Sequence, residues 1–367
     1  MTVAKVCHLS SVHQTKDVRI FHKECASLAD AGFDVSLVVP GEADHIDKGV
    51  SILVVPPAKS RRERLLVTSR RVLKRAVEVD AALYHFHDPE LFPVGLWLKA
   101  HGKKVIFDSH EDLPRQLLSK PWIPRVFRPT LSRISESIEH FGVRRIDAVV
   151  GATPLIRDRF AAVGARAEVV HNYPILEELD IGPVDWATRH REVLYVGGIT
   201  RIRGALEMVN ASAHCDAKWV VAGPIEEAIR GSLEAAQSST FTLAGYLDRA
   251  QVVAALRRAM VGLCVLHPTI NYIDSMPIKL FEYMAAGIPV IASDFPLWRQ
   301  LVGDSGAAIF VDPLNPRAIG EAIQSLLDDP ERAERMGAAG KARVMSGFHW
   351  GIERDRLVGL YNDLLAR

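Results

Sequence analysis

The sequence predicts two doubly wound α/β domains whose parallel sheets face one another across a deep cleft. Three observations carry that expectation. Short β-branched runs alternate with helical periodicity along the chain, the alternation lapses once over 177–191 (EELDIGPVDWATRHR) and restarts, and polar residues follow strand after strand. At 367 residues the chain is longer than single cores usually grow, which favours two domains. The expected division is 1–178, 179–348 and a final helical stretch, 349–367.

In the first domain the expected strands are 3–9, 35–39, 82–86, 104–108, 148–151 and 168–171. Ser10, Ser11 and His13 follow the first, His87 and Asp88 the third, and His110, Glu111 and Asp112 the fourth; Thr153 follows the fifth, and the sixth ends at His171 and Asn172. Ligands of open α/β sheets bind beyond the carboxyl ends of the strands, so Ser11, His13, His87, His110, Glu111 and Asn172 become candidate substrate contacts. The plainer reading of each histidine is a turn or capping residue. His85, His87 and His110 are placed to approach one another, but no ligand spacing demands an ion and none is expected. No G-x-G-x-x-G follows the first strand, which removes the best support for a dinucleotide cofactor.

Two stretches of this half mix cations with apolar residues. KSRRERLLVTSRRVLKR (59–75) carries Leu65, Leu66, Val67, Val72 and Leu73, and LLSKPWIPRVFRPTLSR (117–133) carries Trp122, Ile123, Val126 and Phe127 beside Lys120, Arg125 and Arg128. That chemistry suits the headgroup region of an anionic membrane; the plainer reading is a solvated helix face and a buried loop.

The second domain is expected to place strands at 192–196, 218–222, 241–243, 261–266, 289–292 and 308–311. Between the first of these and a helix over 205–213 lies VGGITRIRG, where Arg201 and Arg203 stand beside outward-pointing backbone amides, a combination that suits a diphosphate. The stretch 271–298, NYIDSMPIKLFEYMAAGIPVIASDFPLW, reads as a loop, a short helix opened by Pro277, Gly287 and a buried strand. Ile278, Phe281, Met284 and Ala285 share one helical stripe, Lys279 and Glu282 the opposite one. The positive helix end, the Lys279 cation and the Asp274 and Glu282 carboxylates together suit a phosphate and sugar hydroxyls; an exposed Lys279–Glu282 ion pair is the plainer alternative.

A formal charge of +1 argues against a general nucleic-acid binder. Cys7, Cys25, Cys215 and Cys264 show neither metal spacing nor a disulfide framework and read as reduced core residues of a cytoplasmic protein. No secretion signal and no apolar run long enough to span a bilayer is seen, so any membrane association is expected to be peripheral, on the inner face.

These segments resemble glycosyltransferase family 4, the retaining enzymes of GT-B fold. DSMPIKLFE, with seven residues between its carboxylates, running into EYMAAGIPVIAS, resembles the donor-site signature. VGGITRIRG resembles the family's glycine loop, FDSHED its acceptor-side histidine segment, and FTLAGYLDRAQVVAALRRAMVGLCVLHPT its nucleobase region. The opening HLSSVHQTKDVRIFHKECASLADAGFDVSLVVP resembles the bacterial cell-surface polysaccharide branch. The resemblance implies that Glu282 holds the donor ribose and that Asp274, where the family has glutamate, meets the sugar hydroxyls. It implies that Arg203 takes the phosphate-binding lysine position, that His110 contacts the transferred sugar, and that Tyr246 lies where the backbone meets the base. Gly198 stands where the family has arginine, and Arg201 or Lys279 is left to supply that charge. Pro277 and Ile278, opening the helix, join the expected donor contacts.

By the same resemblance the final helix crosses back onto the first domain. The implied function is metal-independent transfer, with retention, of a hexose-type sugar from a UDP or GDP donor to a saccharide or lipid-linked hydroxyl, without a cofactor. Two rivals stay open: a UDP-sugar epimerase of similar architecture, using Asp88, Glu111 and Asp112, and a two-domain sugar-binding protein without turnover.

Overall fold

The computed structural model describes residues 3–120, 123–179 and 185–366. The chain divides into two compact units, Met1–Asn172 with Trp350–Arg367, and Tyr173–His349.

The first unit is built on strands β1 (Lys5–Leu9), β2 (Asp34–Pro40), β3 (His45–Asp47), β4 (Val50–Val55), β5 (Leu83–Phe86), β6 (Lys104–Ser109), β7 (Ala148–Gly151) and β8 (Ala167–Val169), in the order β3-β4-β2-β1-β5-β6-β7-β8. All pairs are parallel except β3 with β4. Sequence reasoning misses that edge hairpin, although Val50–Val55 is itself an apolar run. Its turn is closed by Lys48 and Gly49, both at positive φ (46° and 73°), the backbone twist that two-residue hairpins favour. The direction in which successive strands are added across the sheet reverses between β1 and β5, and the strand tips flanking such a switch open a crevice that neighbouring loops cannot fill.

Helix Trp350–Leu365 packs in this unit. Trp350 Nε1 donates to Ser27 Oγ (2.8 Å), Glu353 accepts from the His171 backbone N–H (3.0 Å), and the Tyr361 hydroxyl meets both His8 Nε2 and His85 Nδ1 (2.9 Å each). Its buried stripe includes the charged Glu353 beside Leu357, Leu360, Tyr361 and Leu364, while Ile352 is half-buried.

The second unit holds β9 (His190–Val196), β10 (Lys218–Ala222), β11 (Phe241–Gly245), β12 (Ala259–Cys264), β13 (Val290–Ser293) and β14 (Ala308–Val311), all parallel, in the order β11-β10-β9-β12-β13-β14. Its switch lies between β9 and β12. The unit begins at Tyr173, six residues before the division expected from periodicity, because Tyr173 and Leu179 are buried in its core, where Tyr173 meets Phe281 edge-on. Helix Ile278–Ala285 is held against this sheet more broadly than one stripe allows: Leu280 and Tyr283 are buried with Phe281, Met284 and Ala285. Room for the Tyr283 ring comes from Gly262 on β12, where an added Cβ would approach a ring atom to 2.4 Å. Among the described residues no helix is long and apolar enough to cross a membrane.

Candidate functional site

At the switch of the second unit the chain leaves β9 through Gly197 and Gly198. Gly197 adopts φ +140° and passes so close to Gly223 that a Cβ on the latter would sit 2.0 Å from the Gly197 carbonyl oxygen. The loop ends at Gly204 (φ +73°), where a Cβ would strike the Val265 carbonyl oxygen at 2.6 Å. Both constraints press the backbone onto the sheet edge and explain the glycines. The Tyr195 hydroxyl donates to the Gly198 carbonyl (2.7 Å), and the Tyr283 hydroxyl accepts from the Val196 N–H (3.0 Å), tying the loop to helix Ile278–Ala285.

Lys279 projects from the first turn of that helix into this corner. Its Nζ is buried, lies 3.6 Å above the centre of the Tyr195 ring, and has no hydrogen-bond partner among the described residues. It also sits 3.1 Å from the position a Cβ on Gly197 would take. Loss of hydration, reinforced by the Arg203 charge, pushes the ammonium down to about 8. Arg203 lies beside it, Nη1 2.9 Å from the position of a Cβ on Gly198, with Nε donating to the Tyr272 hydroxyl (3.2 Å). The space beside Gly198, where the resembled family carries arginine, is thus occupied by the Arg203 guanidinium.

Glu282 does not pair with Lys279, as the plainer alternative required: its Oε1 accepts from Arg249 Nη1 (3.0 Å), and Arg249 also pairs with Glu178 (3.4 Å). Pro277 caps the helix and Ile278 opens it, both half-buried. Asp274, Arg201 and Tyr246 are exposed, and the Arg201 backbone N–H is bound by Glu226 (2.9 Å). Two cations, a pinned glycine loop and a helix N-terminus therefore converge here, while Arg201 stays on the surface. Sequence reasoning misses Tyr195, Tyr272 and Arg249; Tyr272 and Arg249 lie inside segments quoted above, whose patterns do not single them out.

The first unit carries a second constellation at its own switch, a pocket of about 470 Å³ lined by His13, Arg64, His87, His110, Glu111 and Asn172 among others. Five of the six expected contacts thus share one cavity. The sixth, Ser11, is buried beneath it, its backbone N–H donating to Asp88 (2.6 Å) and its hydroxyl to Glu90 (2.8 Å). His13 Nδ1 faces Asp88 at 3.3 Å. Burial alone would raise the Asp88 carboxyl and lower the His13 imidazole; their pairing, with donors from Ser10 and Ser11 on Asp88, outweighs it and shifts both the other way, towards an ion pair. His110 stacks on His87 (5.2 Å between ring centres) and meets His13 edge-on (5.4 Å). Its Nδ1 faces the Asp108 carboxylate at 3.4 Å, and its Nε2 makes no hydrogen bond among the described residues. Burial keeps His87 neutral, pushed down to about 4.

Arg19, which also lines the pocket, grips Asp108 through two bonds of 3.0 Å, a buried pair that sequence reasoning also misses. Charged residues inside the apolar run VRIFHKEC are its signal. That helix, Val18–Cys25, winds widely enough for the His22 N–H to reach the Asp17 carbonyl five residues back (3.2 Å), which puts Arg19 and Glu24 on one face.

Residues 180–343 match the family model described as Glycosyl transferases group 1, and residues 18–174 the Glycosyl transferase 4-like domain. Among curated proteins the chain is similar to the phosphatidyl-myo-inositol mannosyltransferase of Mycolicibacterium smegmatis, 24% identical over 356 residues, covering 92% of this chain and 87% of that protein. It is also similar to the alpha-D-kanosaminyltransferase of Streptomyces kanamyceticus, 25% identical over 261 residues, covering 65% of this chain and 66% of that protein. In fold it matches the sucrose-phosphate synthase of Thermosynechococcus elongatus (TM-score 0.79, 19% identity, 99% of both chains). It likewise matches Anabaena Alr3699/HepE in complex with UDP-glucose (TM-score 0.75, 13% identity, 98% of this chain and 99% of that one).

Binding of inorganic diphosphate is expected to weaken as pH rises from 7 to 9, because an ammonium titrating near 8 loses its charge over that interval. The charged fraction falls from about nine-tenths to about one-tenth over that interval, so the loss through this group is about tenfold at most. Titration calorimetry on the protein and on Lys279→Met checks it; equal pH profiles for the two would remove Lys279 from the site.

Proposed function

The chain belongs to the family 4 glycosyltransferases of GT-B fold, and on that premise we propose that it is a retaining, metal-independent transferase. It moves a hexose-type sugar from a nucleoside-diphosphate sugar to a hydroxyl of a saccharide or lipid-linked acceptor in bacterial polysaccharide or glycoconjugate assembly. The observation that carries this reading is the buried Lys279 ammonium, without a hydrogen-bond partner among the described residues, beside Arg203 in a glycine loop. A diphosphate supplies the acceptor oxygens that such an ammonium requires.

In this reading Lys279, Arg203 and the amides of the helix opened by Pro277 and Ile278 hold the donor's diphosphate. Arg249 engages Oε1 of Glu282 and leaves Oε2 for a ribose hydroxyl. Asp274 reaches the sugar hydroxyls and the backbone at Tyr246 the base. The bond from the anomeric carbon to the diphosphate oxygen breaks, and the acceptor oxygen bonds to that carbon on the same face. The acceptor's proton passes to the departing phosphate. Fixed cations stabilise the charge that develops there, the task a metal ion performs elsewhere. The pocket of the first unit receives the acceptor, with His110 positioning the sugar and His13, Glu111 and Asn172 meeting hydroxyls, while His87, whose nitrogens face His8 and Asp108, supports His110 by stacking. The UDP and UDP-glucose complexes of Alr3699/HepE favour a uridine donor, and the mannosyltransferase's phosphatidyl-myo-inositol supports a lipid-linked acceptor.

A lipid-linked acceptor also supports peripheral attachment to an anionic membrane through 59–75 and 117–133. Leu65, Leu66, Val126 and Phe127 are exposed as such a surface requires, and Leu131, Ile134, Ile138 and Phe141 extend it along helix Arg128–Val143. Ile123 is buried, Arg128 spends its guanidinium on the Ile123 and Leu118 carbonyls, and Trp122 lies outside the described residues, so within the described part of 117–133 Lys120, Arg125 and Arg133 are the cations left to face lipid, beside the exposed Arg61, Arg62 and Arg70 of 59–75.

Release of nucleoside diphosphate from a UDP-sugar is expected to depend on added acceptor, and Arg203→Ala to lower its rate by about 10²–10³. Acceptor-independent release favours the epimerase, and none with tight donor binding favours the binding protein. In flotation assays Arg125→Glu with Arg133→Glu is expected to lower binding to anionic vesicles at least tenfold, from about 1 kcal/mol per basic residue; an undiminished fraction would exclude this surface.

A further inference from the structure

Beneath the pocket of the first unit, three imidazoles and a carboxylate meet in the interior. His8 on β1, Glu24 on helix Val18–Cys25, His85 on β5 and His87 just past its end are all buried, and one ligating atom from each lies within 4.8 Å of the others. Only His87 also reaches the pocket. We propose that these four residues hold a divalent first-row transition metal of the zinc type, which fastens the helix Val18–Cys25 to the two strands flanking the switch.

The separations are those of a four-coordinate site before an ion draws it together. His8 Nδ1 and His87 Nε2 each lie close to Glu24 Oε2, at 3.8 and 3.9 Å, and 2.9 Å from one another. Metal–nitrogen and metal–oxygen bonds of about 2.0–2.2 Å set tetrahedral ligand separations near 3.3 Å, between those values. The atoms left over point to the same conclusion. His85 Nε2 and both Glu24 carboxylate oxygens are buried without a hydrogen bond among the described residues, and Arg19 is an ion-pair neighbour of Glu24 Oε1 (3.0 Å).

The outer groups complete the pattern. A ligating imidazole donates its other N–H to an oxygen that fixes its tautomer and orientation. His8 Nε2 and His85 Nδ1 both meet the Tyr361 hydroxyl oxygen, which has two lone pairs, and His87 Nδ1 faces the Asp108 carboxylate at 3.4 Å. All three histidines therefore turn their second nitrogen to an oxygen; the first nitrogens of His8 and His87 share a hydrogen bond that an ion would replace and face Glu24, and His85 Nε2 lies within the same cluster. Three imidazoles and one carboxylate suit Zn²⁺ or Co²⁺. The proposal goes beyond the transfer reaction and does not depend on it, since the ion is structural and its test reads no turnover.

The full chain, stripped with a chelator, is titrated with Co²⁺ while visible absorption is recorded. One equivalent with the intense d–d bands of tetrahedral cobalt, displaced by Zn²⁺, is the expected result. His85→Asn keeps a polar atom where Nδ1 meets Tyr361 and deletes Nε2; His8→Gln keeps the contact at Nε2 and deletes Nδ1. Each is expected to stay folded by circular dichroism and to bind Co²⁺ about 100-fold more weakly or worse, beyond what outer-group loss costs. Absence of stoichiometric uptake by the wild type overturns the proposal, as does unchanged affinity in both variants. Should neither variant fold, the wild-type titration decides alone.

Discussion

A sheet whose strands run parallel and whose faces are both covered by helices leaves its polar backbone and side-chain groups one outlet, the carboxyl tips of the strands at the switch. Both units of this chain obey that constraint. In the second unit the outlet lies beyond β9 and β12, and the glycine loop, Lys279 and Arg203 gather there. In the first it lies beyond β1 and β5, and the tips supply Ser10, Ser11, His13, His87 and Asp88. The same topology thus provides, twice, a place where charged groups can be fixed without facing an apolar core.

The two outlets are furnished differently. The second unit concentrates positive charge: a buried ammonium over an aromatic ring, close to a guanidinium, is held in place by packing against Tyr195. Keeping such cations together is unfavourable until an anion arrives, which favours binding of a diphosphate over binding of neutral molecules. The first unit instead balances its charges internally, through Arg19 with Asp108 and Glu24 and through His13 with Asp88. Its pocket offers oriented donors and acceptors without a large net charge, the complement of a hydroxyl-rich molecule.

Much of this organisation is legible in the order of the amino acids. Strand periodicity locates every strand except the β3–β4 hairpin, whose polar first half disguises it. The DSMPIKLFE segment marks the helix carrying Lys279 and Glu282, because Pro277 and Gly287 punctuate it unambiguously. Sequence spacing does not reveal which cation stands in for the arginine absent at Gly198. Arg201 and Lys279 are both open in a linear pattern; the 3₁₀ turn Arg201–Arg203 leaves Arg201 exposed, whereas Lys279 Nζ lies 3.1 Å from where a Cβ on Gly197 would sit. Long-range partners are hidden for a related reason. Glu282 meets Arg249 across 33 positions and Tyr361 meets His8 across 353, and no local pattern encodes such pairings. Histidines that read singly as turn residues become a cluster only when β1 and β5 lie side by side.

In the proposed function donor binding turns on Lys279 as the group that holds the diphosphate, and thermal unfolding with UDP and with uridine tests that role most directly. A ligand bound only by the folded state at a hundred times its dissociation constant adds about 2.7 kcal/mol of stability. UDP should raise the unfolding temperature of the wild type well above uridine at equal concentration, and Lys279→Met, folded, should lose that difference. An equal response of Lys279→Met and wild type to UDP, or no response of the wild type to any nucleoside diphosphate, would contradict that role.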